Sequence, residues 1–463
     1  MSSLPPDFSL KLGAQLAAWR YEQLPVSTVR MVKRIVLDAL GVIGGAARAP
    51  GIRELNDRLA RWEVGGSATG LIGKRRYSPP TAALANGTAA HALDFDDIHD
   101  PSRVHSACVV LPALLATAED VGPISGKDFI VAMAVGLEMH ARFGLAYVNS
   151  LATGWHPTTL FGSLAASLAA GHLLKLDAER LRNALGIAFH QAGGSIQSAY
   201  DGVISKRLGP GFAARDAVVS AFLAADGLTG TREPLEGKAG FFNLHARGDV
   251  NPALLTDGLG TAWRIDEFSF KPYPGCRCSH AAIGLGVKLH HDGIAINEIE
   301  TIEIRMSEAN WKLVGKPYDV ALDSEVHAQF NAAYSFARAL IDGEVGLASY
   351  ERPAIGEAAV AALAARTRVI ADPGIEKSAM EPVAVDLRMR DGRTVTRRGN
   401  SIKGGREEPM TDSEMRDKVR GCFAFGLDAQ PQSADRLAEV VLDLENASDA
   451  VRAVLARIPG PQA

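Results

Sequence analysis

The chain has 463 residues, of which 53 are acidic and 49 basic, and its formal net charge is −4. At about 100–200 residues per domain, this length predicts two or three domains with a large hydrophobic core. The hydrophobic fraction of 47% excludes a disordered protein, and the balanced charge gives no support for binding to nucleic acid or to an anionic membrane.

Helical periodicity dominates the chain from residue 8 to about residue 260. In the segment 26–45, apolar side chains recur at helical spacing and form one broad face. The same pattern predicts helices over 126–148, 159–174, 178–190 and 213–225, and the Gly-Pro-Gly at 209–211 predicts a turn that opens the last of them. Several of these helices are apolar on nearly all sides, which indicates burial between other helices.

Near residue 266 the period changes from helix to strand. Alternating side chains predict a strand over 301–306, and Val383 to Met389 alternate in the same way. Asp391-Gly392 predicts a hairpin turn into the returning stretch 393–398. Helices are predicted over 280–290, 328–342 and 356–366, so this part of the chain is expected to be an α+β module.

After Pro409 the chain becomes helical again, and we expect its two final helices to pack on the first domain. The predicted protein is therefore mainly α. A large helical domain is expected to consist of residues 1–267 and 405–463, with an inserted α+β lid domain over 268–404.

The four cysteines are too few and too unevenly spaced for a secreted disulfide scaffold. The N-terminus shows no basic leader followed by an apolar segment, and the most apolar stretches are shorter than the ~20 residues that span a bilayer. We therefore expect a cytoplasmic protein without a membrane partner.

Several common catalytic motifs are absent from the sequence. There is no GxxxxGK[ST], no HExxH and no GxSxG. Phosphoryl transfer at a P-loop, zinc proteolysis and α/β-hydrolase chemistry therefore lose support.

The densest polar cluster lies in DFDDIHDPSRVH, residues 94–105, which holds four aspartates and two histidines. These groups are suited to acid/base chemistry or to metal binding, and the alternative is a solvated loop whose aspartates cap helices. The aspartates lack a sharp metal-ligand spacing, so metal is the weaker functional interpretation.

Four smaller groups of residues accompany this cluster. His156 stands at the predicted start of an apolar helix, and Lys206, Arg207 and Arg215 surround the Gly-Pro-Gly and could hold an anion. Cys276, Cys278 and His280 form a poor zinc signature because no second cysteine pair follows. Tyr334 lies on a predicted helix, where a core position with a satisfied hydroxyl is the alternative.

Taken together, these segments resemble the MmgE/PrpD family, which includes 2-methylcitrate dehydratases, cis-aconitate decarboxylases and iminodisuccinate epimerases. The resemblance is carried in order by VLDALGVIGG, NGTAAHALDFDDIHDPSRVH, GWHPTTLFGSLAAS, SKRLGPGFAARDAVVSAFLA, FKPYPGCRCSH and AQFNAAYSFARALIDG. It implies a helical domain built from both chain ends, a smaller α+β lid and a homodimer. It also implies an active site between the domains that works without a metal or an organic cofactor.

Residue by residue, the resemblance places the family's pocket at Asp94, His105, His156, Lys206, His280 and Tyr334. The sequence departs from the family at two positions. Ile98 replaces the threonine of the family's DFDDT motif, and Ser106 stands where the family often has proline.

We hypothesise that Lys206, helped by Arg207 or Arg215, anchors a carboxylate of a small di- or tricarboxylic acid. His105 and His156 would then transfer protons, while Asp94 orients an imidazole or shares a proton. His280 and Tyr334 would close the pocket and protonate a leaving hydroxyl or a carbanion.

A lyase of the dehydratase type is the favoured activity, because dehydration of a hydroxylated polycarboxylate is the family's namesake reaction. The alternatives are an epimerase of a dicarboxylate, a decarboxylase and, outside the enzymes, an inactive small-acid-binding protein.

Overall fold

The computed structural model describes residues 4–460, and the part before residue 260 is built mostly from helices. In chain order these helices are α1 (Phe8–Ala17), α2 (Val26–Gly45), α3 (Ile52–Trp62), α4 (Pro79–His91), α5 (Ala107–Val121), α6 (Gly126–Ala146), α7 (Pro157–Leu173), α8 (Ala178–Phe189), α9 (Gln197–Tyr200), α10 (Ser205–Ala225), α11 (Phe241–His245) and α12 (Ala253–Thr256). Short strand pairs interrupt them: β1 (Ala68–Gly70) with β2 (Arg75–Tyr77), and β3 (Ile98–His99) with β4 (Phe268–Ser269).

The predicted burial of the apolar helices is confirmed. Every residue of α7 is buried, because α5, α6, α8 and α10 pack around it. The 21-residue helix α6 is long and apolar enough to cross a membrane by length and composition, and 94% of its most apolar window is buried inside the protein. The bent pair Val26–Arg48 and Ile52–Trp62 passes the same test only if its two parts are counted as one span. The 94% burial of α6 is typical of a core helix.

The predicted turn at residues 209–211 is wrong, because α10 begins at Ser205 and contains Pro210. The two glycines serve close packing instead. A Cβ on Gly211 would lie 2.3 Å from Thr88 Oγ1 on α4, and a Cβ on Gly209 would lie 2.6 Å from Thr159 Oγ1 on α7. Tertiary packing therefore overrides the local turn preference.

The α+β part consists of α13 (His280–His291), β5 (Ile299–Met306), α14 (Glu308–Val314), α15 (Glu325–Gln329), α16 (Ala332–Asp342), α17 (Arg352–Ile355), α18 (Ala358–Ala365), β6 (Thr367–Ala371), β7 (Val383–Met389) and β8 (Thr394–Gly399). Its sheet has the order β6-β5-β7-β8, with β5 and β6 parallel and the other pairs antiparallel. Both alternating segments are confirmed as strands, and Asp391-Gly392 forms the turn between β7 and β8.

The single helix predicted over 328–342 is two helices, α15 and α16. The chain breaks at Asn331, whose backbone is extended and whose side chain accepts a hydrogen bond from the backbone N–H of Tyr334. Asparagine is a strong N-cap, so it favours a new helix start over a continuous helix.

The chain ends with α19 (Asp412–Leu427), α20 (Pro431–Leu442) and α21 (Ala450–Leu455). As predicted, α19 and α20 pack back against α2, and their apolar residues join the core of the helical part. A separate core lies within the α+β part, between Cys276 and Ile402. The boundaries 267/268 and 404/405 themselves stay a prediction.

Candidate active site

Four helix ends of the helical part meet at one place. His91 is the last residue of α4, and the loop after it carries Asp94 to Asp97. Asp97 accepts hydrogen bonds from the backbone N–H groups of Ser106 and Ala107 at the start of α5. His156 is the N-cap of α7, and Lys206 is the second residue of α10. The N-terminal ends of α5, α7 and α10 therefore lie around the cluster, and helix N-termini favour negative charge.

Asp94 is shared by two buried lysines. Lys206 Nζ donates to Asp94 Oδ2 at 2.7 Å, while Lys271 Nζ donates to Asp94 Oδ1 and to its backbone carbonyl, both at 2.9 Å. Burial alone would raise the pKa of Asp94, but the two ammonium groups outweigh it and hold that pKa well below its usual range. Asp94 therefore stays ionised and fixes both cations.

Lys206 also joins the carboxylates to the imidazoles. Its Nζ lies 2.7 Å from Nε2 of His91, whose Nδ1 lies 2.8 Å from Oδ2 of Asp96. An ammonium can only donate, so His91 accepts at Nε2 and donates from Nδ1 to Asp96. Burial opposes the charge on Asp96, but the interactions with His91 and His105 lower its pKa overall.

His91, Asp96 and His105 are also arranged so that one ligand atom of each lies within 4.8 Å of the others. Within residues 4–460, this is the group that could hold a metal ion. His91 Nδ1 and Asp96 Oδ2 are hydrogen-bonded to each other, and Lys206 adds a positive charge beside them. A cation would have to displace that hydrogen bond and overcome the repulsion of the ammonium group.

The rings of His105 and His156 both lie close to that of His91, with centroids 5.0 and 5.8 Å from it. Burial lowers the pKa of His105 to about 3, although Asp96 partly opposes this shift. Burial, Lys206 and His91 lower the pKa of His156 well below its ordinary value. Both imidazoles are therefore neutral at pH 7 in the unliganded protein.

The predicted residues Asp94, His105, His156 and Lys206 are thus brought together, whereas His280 and Tyr334 make no contact with them. His280 is buried at the start of α13, where its ring meets the edge of Tyr273. Burial, Arg277 and Lys271 lower its pKa, and the backbone of Gly275 opposes the shift. The role predicted for His280 stays a prediction.

Tyr334 belongs to the core of the lid. Its hydroxyl donates to the backbone carbonyl of Ser349, and its ring packs between those of Tyr318 and Tyr350. Burial raises the pKa of this phenol. The position fits a core tyrosine with a satisfied hydroxyl, and its predicted catalytic role stays a prediction.

The lid reaches the cluster through residues that sequence reasoning missed. Gln329 donates to the carbonyl of Leu93 at 3.0 Å and accepts from Arg207 at 3.4 Å. The ring of Phe330 lies 5.0 Å from Nζ of Lys206. The break between α15 and α16 therefore places two lid residues against the site.

His91 and Lys271 were missed as well. His91 ends an apolar helix, and Lys271 precedes a proline in the segment that holds Cys276 and Cys278. Their position in the sequence could have indicated them. His91 and Lys271 each lie in a segment that carries the family resemblance, close to Asp94 and His280 respectively.

The two departures from the family pattern lie beside the cluster. Ile98 is buried in β3, where it pairs with Ser269 and contributes no hydroxyl. Ser106 donates its backbone N–H to Asp97, a hydrogen bond that a proline at this position could not make.

A cavity of about 430 Å³ opens onto the cluster from the helical side. It lies between α7 and α10, and its lining includes His156, Thr159, Lys206 and Arg215. A larger cavity of about 1000 Å³ lies between the helical part and the lid, but none of the clustered side chains lines it. Of these two cavities, only the smaller is lined by side chains of the cluster, namely His156 and Lys206.

Comparison with known proteins extends this picture over the whole chain. The MmgE/PrpD N-terminal domain matches residues 11–253, and the MmgE/PrpD C-terminal domain matches residues 273–444. The chain is 30% identical to a cis-aconitate decarboxylase-like protein, oryM, of Aspergillus oryzae, over 96% of this chain and 97% of that protein. It is 26% identical to a cis-aconitate decarboxylase of Aspergillus terreus, over 97% of this chain and 96% of that one. A human cis-aconitate decarboxylase is 27% identical, over 94% and 91% respectively.

Proposed function

Because this chain belongs to the MmgE/PrpD family and is a lyase, we propose that it decarboxylates a small unsaturated tricarboxylic acid, with cis-aconitate as the first candidate. The observation that carries the proposal is the similarity to cis-aconitate decarboxylases along nearly the full length of both chains. The clustered lysines and neutral histidines supply the groups that such a substrate needs.

Decarboxylation requires fewer proton transfers than the dehydration expected from the family's namesake. Dehydration needs an acid that protonates the departing hydroxyl group. Tyr334, one of the lid residues predicted for that task, donates its hydroxyl proton to Ser349 inside the lid. Loss of CO2 needs no such acid, only cations for the carboxylates and one proton for carbon.

The proposed reaction breaks the bond between a methylene carbon and its carboxylate. The electron pair of that bond forms a new double bond, the original double bond shifts its pair to the next carbon, and that carbon takes up a proton. CO2 leaves, and cis-aconitate becomes a 2-methylene dicarboxylate. Each turnover therefore consumes one proton.

The clustered side chains divide these tasks. Lys206, which lines the cavity, anchors a carboxylate. The remaining carboxylates bring negative charge close to His105, and this charge favours the protonated imidazole. His105 can then take a proton from solvent and deliver it to carbon, while Asp94 keeps Lys206 in place.

Incubation of the purified protein with cis-aconitate in deuterated water tests the proposal directly. We expect proton NMR to show a methylene dicarboxylate with one deuterium incorporated for each CO2 released. Parallel samples hold 2-methylcitrate and a chiral dicarboxylate. Loss of water from 2-methylcitrate would identify a dehydratase, and deuterium exchange into the dicarboxylate without CO2 release would identify an epimerase. Either result, obtained without CO2 release from cis-aconitate, would overturn the proposal.

Replacement of His105 by Asn is the matched variant, because asparagine keeps a polar group of similar length at this position. We expect at least a 100-fold loss of CO2 release, since a positioned acid/base group contributes about 10²–10⁴-fold. Thr117→Val, in the buried middle of α5, is the control and should keep its activity. The predicted homodimer and cytoplasmic location stay proposals, and sedimentation velocity would test the former.

A further inference from the structure

Thr159 is placed to set the proton on His156. Its Oγ1 lies 2.8 Å from Nδ1 of His156, and among residues 4–460 its hydroxyl makes no other hydrogen bond. We infer that Thr159 donates to Nδ1 and holds His156 as the neutral Nε2–H tautomer, so that His156 donates a hydrogen bond to the substrate and does not act as a base. This inference rests on the proposed function and deepens it.

The direction of the hydrogen bond follows from the hydroxyl group. If His156 donated from Nδ1, the hydroxyl proton of Thr159 would have no acceptor among residues 4–460 and would depend on a molecule in the adjoining cavity. The favoured arrangement is the one in which the hydroxyl and the ring nitrogen satisfy each other within the protein. Donation from Thr159 to His156 satisfies both groups and puts the ring proton on Nε2.

The side chain of Thr159 cannot easily turn away from this contact. A Cβ on Gly194 would lie 2.7 Å from Thr159 Cβ, and a Cβ on Gly209 would lie 2.6 Å from Thr159 Oγ1. Gly194 and Gly209 therefore pack so closely against Thr159 that neither position has room for a side chain, and this packing restricts the rotation of Thr159. The backbone N–H of His156 also donates to the carbonyl of Gly194, which fixes the histidine relative to the same loop.

His105 is held in the complementary tautomer. Its Nδ1 lies 2.7 Å from the backbone carbonyl of Asp97, which can only accept, so His105 donates from Nδ1 and its Nε2 carries the lone pair. The two neutral histidines therefore differ in kind. His105 can accept a proton at Nε2, and His156 can donate a hydrogen bond from Nε2.

This difference assigns the two histidines separate tasks in the decarboxylation. When CO2 leaves, negative charge spreads over the shifted double bond and the neighbouring carboxylate. A neutral imidazole N–H in a buried site stabilises such charge by hydrogen bonding. His156 would stabilise the charge next to Lys206, and His105 alone would carry the proton.

Nitrogen-15 NMR of the ring of His156 tests the tautomer without any substrate. In the full chain at pH 7 we expect Nε2 to be protonated and Nδ1 to be unprotonated and hydrogen-bonded. The His156→Gln variant identifies which signals belong to this ring. A spectrum with the proton on Nδ1 would overturn the inference, whether or not the protein decarboxylates anything.

Variants of Thr159 test its effect on the reaction. Thr159→Val removes the hydroxyl at nearly constant volume, and we expect kcat to fall about 10-fold or more with KM within about 2-fold, because the lost bond acts on the charged transition state. Thr159→Ser keeps the hydroxyl and should retain most of kcat. The control is Thr117→Val, which removes a buried threonine hydroxyl in the middle of α5.

The outcomes separate the inference from the proposed function. If the unmodified protein releases no CO2 from any acid, the proposed function is wrong, and the NMR spectrum still decides the tautomer. If the protein decarboxylates cis-aconitate but Thr159→Val keeps its kcat and the ring nitrogen signals of the unmodified protein, the inference is wrong. If Thr159→Val does not fold, Thr159→Ser and the spectrum of the unmodified protein decide it.

Discussion

The clustered polar residues of the helical part and Tyr334 of the lid are hydrogen-bonded in opposite ways. In the helical part several site residues are partners of one another: Lys206 contacts Asp94 and His91, and His91 contacts Asp96. In the lid, the hydroxyl of Tyr334 is bonded to a nearby carbonyl of the lid itself. The first arrangement couples its members, so a change to one alters the others, whereas the second is self-contained.

The coupling has an energetic consequence. The ionised groups of the cluster are almost fully buried, and a buried charge is tolerated only while its partners remain. Substitutions in the cluster should therefore affect both stability and activity, whereas substitutions of the lid tyrosine should affect mainly the lid.

Asp94→Asn should have the largest effect. It leaves the ammonium groups of Lys206 and Lys271 buried without a shared counter-ion. Breaking a buried pair in this way costs about 3–5 kcal/mol, and we expect at least a 100-fold loss of kcat. Urea unfolding followed by circular dichroism measures the first effect, and CO2 release measures the second.

The control for Asp94→Asn is Glu138→Gln, which breaks the buried ion pair between Glu138 and Arg142 within α6. This variant should lose a similar amount of stability while the folded fraction keeps its activity. Equal activity losses in the two variants would show that stability alone explains the effect and that Asp94 is no part of the site.

The two lysines beside Asp94 should differ in the ratio of the two effects. Lys206 lines the cavity, whereas Lys271 is fully buried and holds the backbone carbonyl of Asp94 as well as its carboxylate. Lys206→Met should therefore lose about 100-fold or more in kcat/KM with a modest loss of stability. Lys271→Met should lose more stability, about 3 kcal/mol or more. Titration with substrate and urea unfolding give both quantities, and the reverse ranking would contradict the assignment of Lys206 to the substrate.

His105 should make the fold sensitive to acid. His105 has a pKa of about 3 in the folded protein, against about 6.5 when unfolded, so the unfolded chain binds more protons between these values. Its contribution to stability is complete above pH 6.5 and is lost as the pH falls towards 3. The slope of this loss is at most about 1.4 kcal/mol per pH unit.

His105→Asn removes this one contribution. Its free energy of unfolding should fall less steeply between pH 6 and 4 than that of the unmodified protein. The difference in slope should reach at most about 1.4 kcal/mol per pH unit, the value for one bound proton. His140 is buried in α6 with a pKa lowered to about 3 by burial, so His140→Asn should flatten the slope in the same way. Parallel curves for His105→Asn and the unmodified protein would show that His105 is not buried as a neutral group.

The elements that the sequence predicts well are those with a local period. The strands β5 and β7 follow from alternation alone, because one buried face with period two is a property of the strand itself. The start of α10 was missed because Gly209, Pro210 and Gly211 favour a turn locally. Their reason for being there, contact with α4 and α7, lies far away in the sequence.

Local sequence patterns are also insufficient to predict the contacts within the site. Asp94, His105, His156 and Lys206 were predicted because each lies in a motif that the family resemblance supplies. Which partner each one takes is a matter of tertiary contact, since Lys206 and Asp94 are 112 residues apart and Lys271 and Asp94 are 177 apart. No local pattern reports such a pairing, so the sharing of Asp94 by two lysines and the tie between Tyr334 and Ser349 required coordinates.

The smallest effect should come from Tyr334→Phe. The hydroxyl donates to the carbonyl of Ser349, and the ring keeps its contacts with Tyr318 and Tyr350 in either residue. Loss of this hydrogen bond should cost about 0.5–1.5 kcal/mol of stability and change kcat less than about 3-fold. Tyr350→Phe is the matched control, because it removes a buried lid hydroxyl that is bonded to Ser335. A 100-fold loss of activity in Tyr334→Phe, but not in Tyr350→Phe, would contradict this expectation. A hydroxyl that stays bonded to Ser349 could not cause such a loss, so it would have to reach the substrate during turnover. That result would restore Tyr334 as an acid of the site, as the family resemblance predicts.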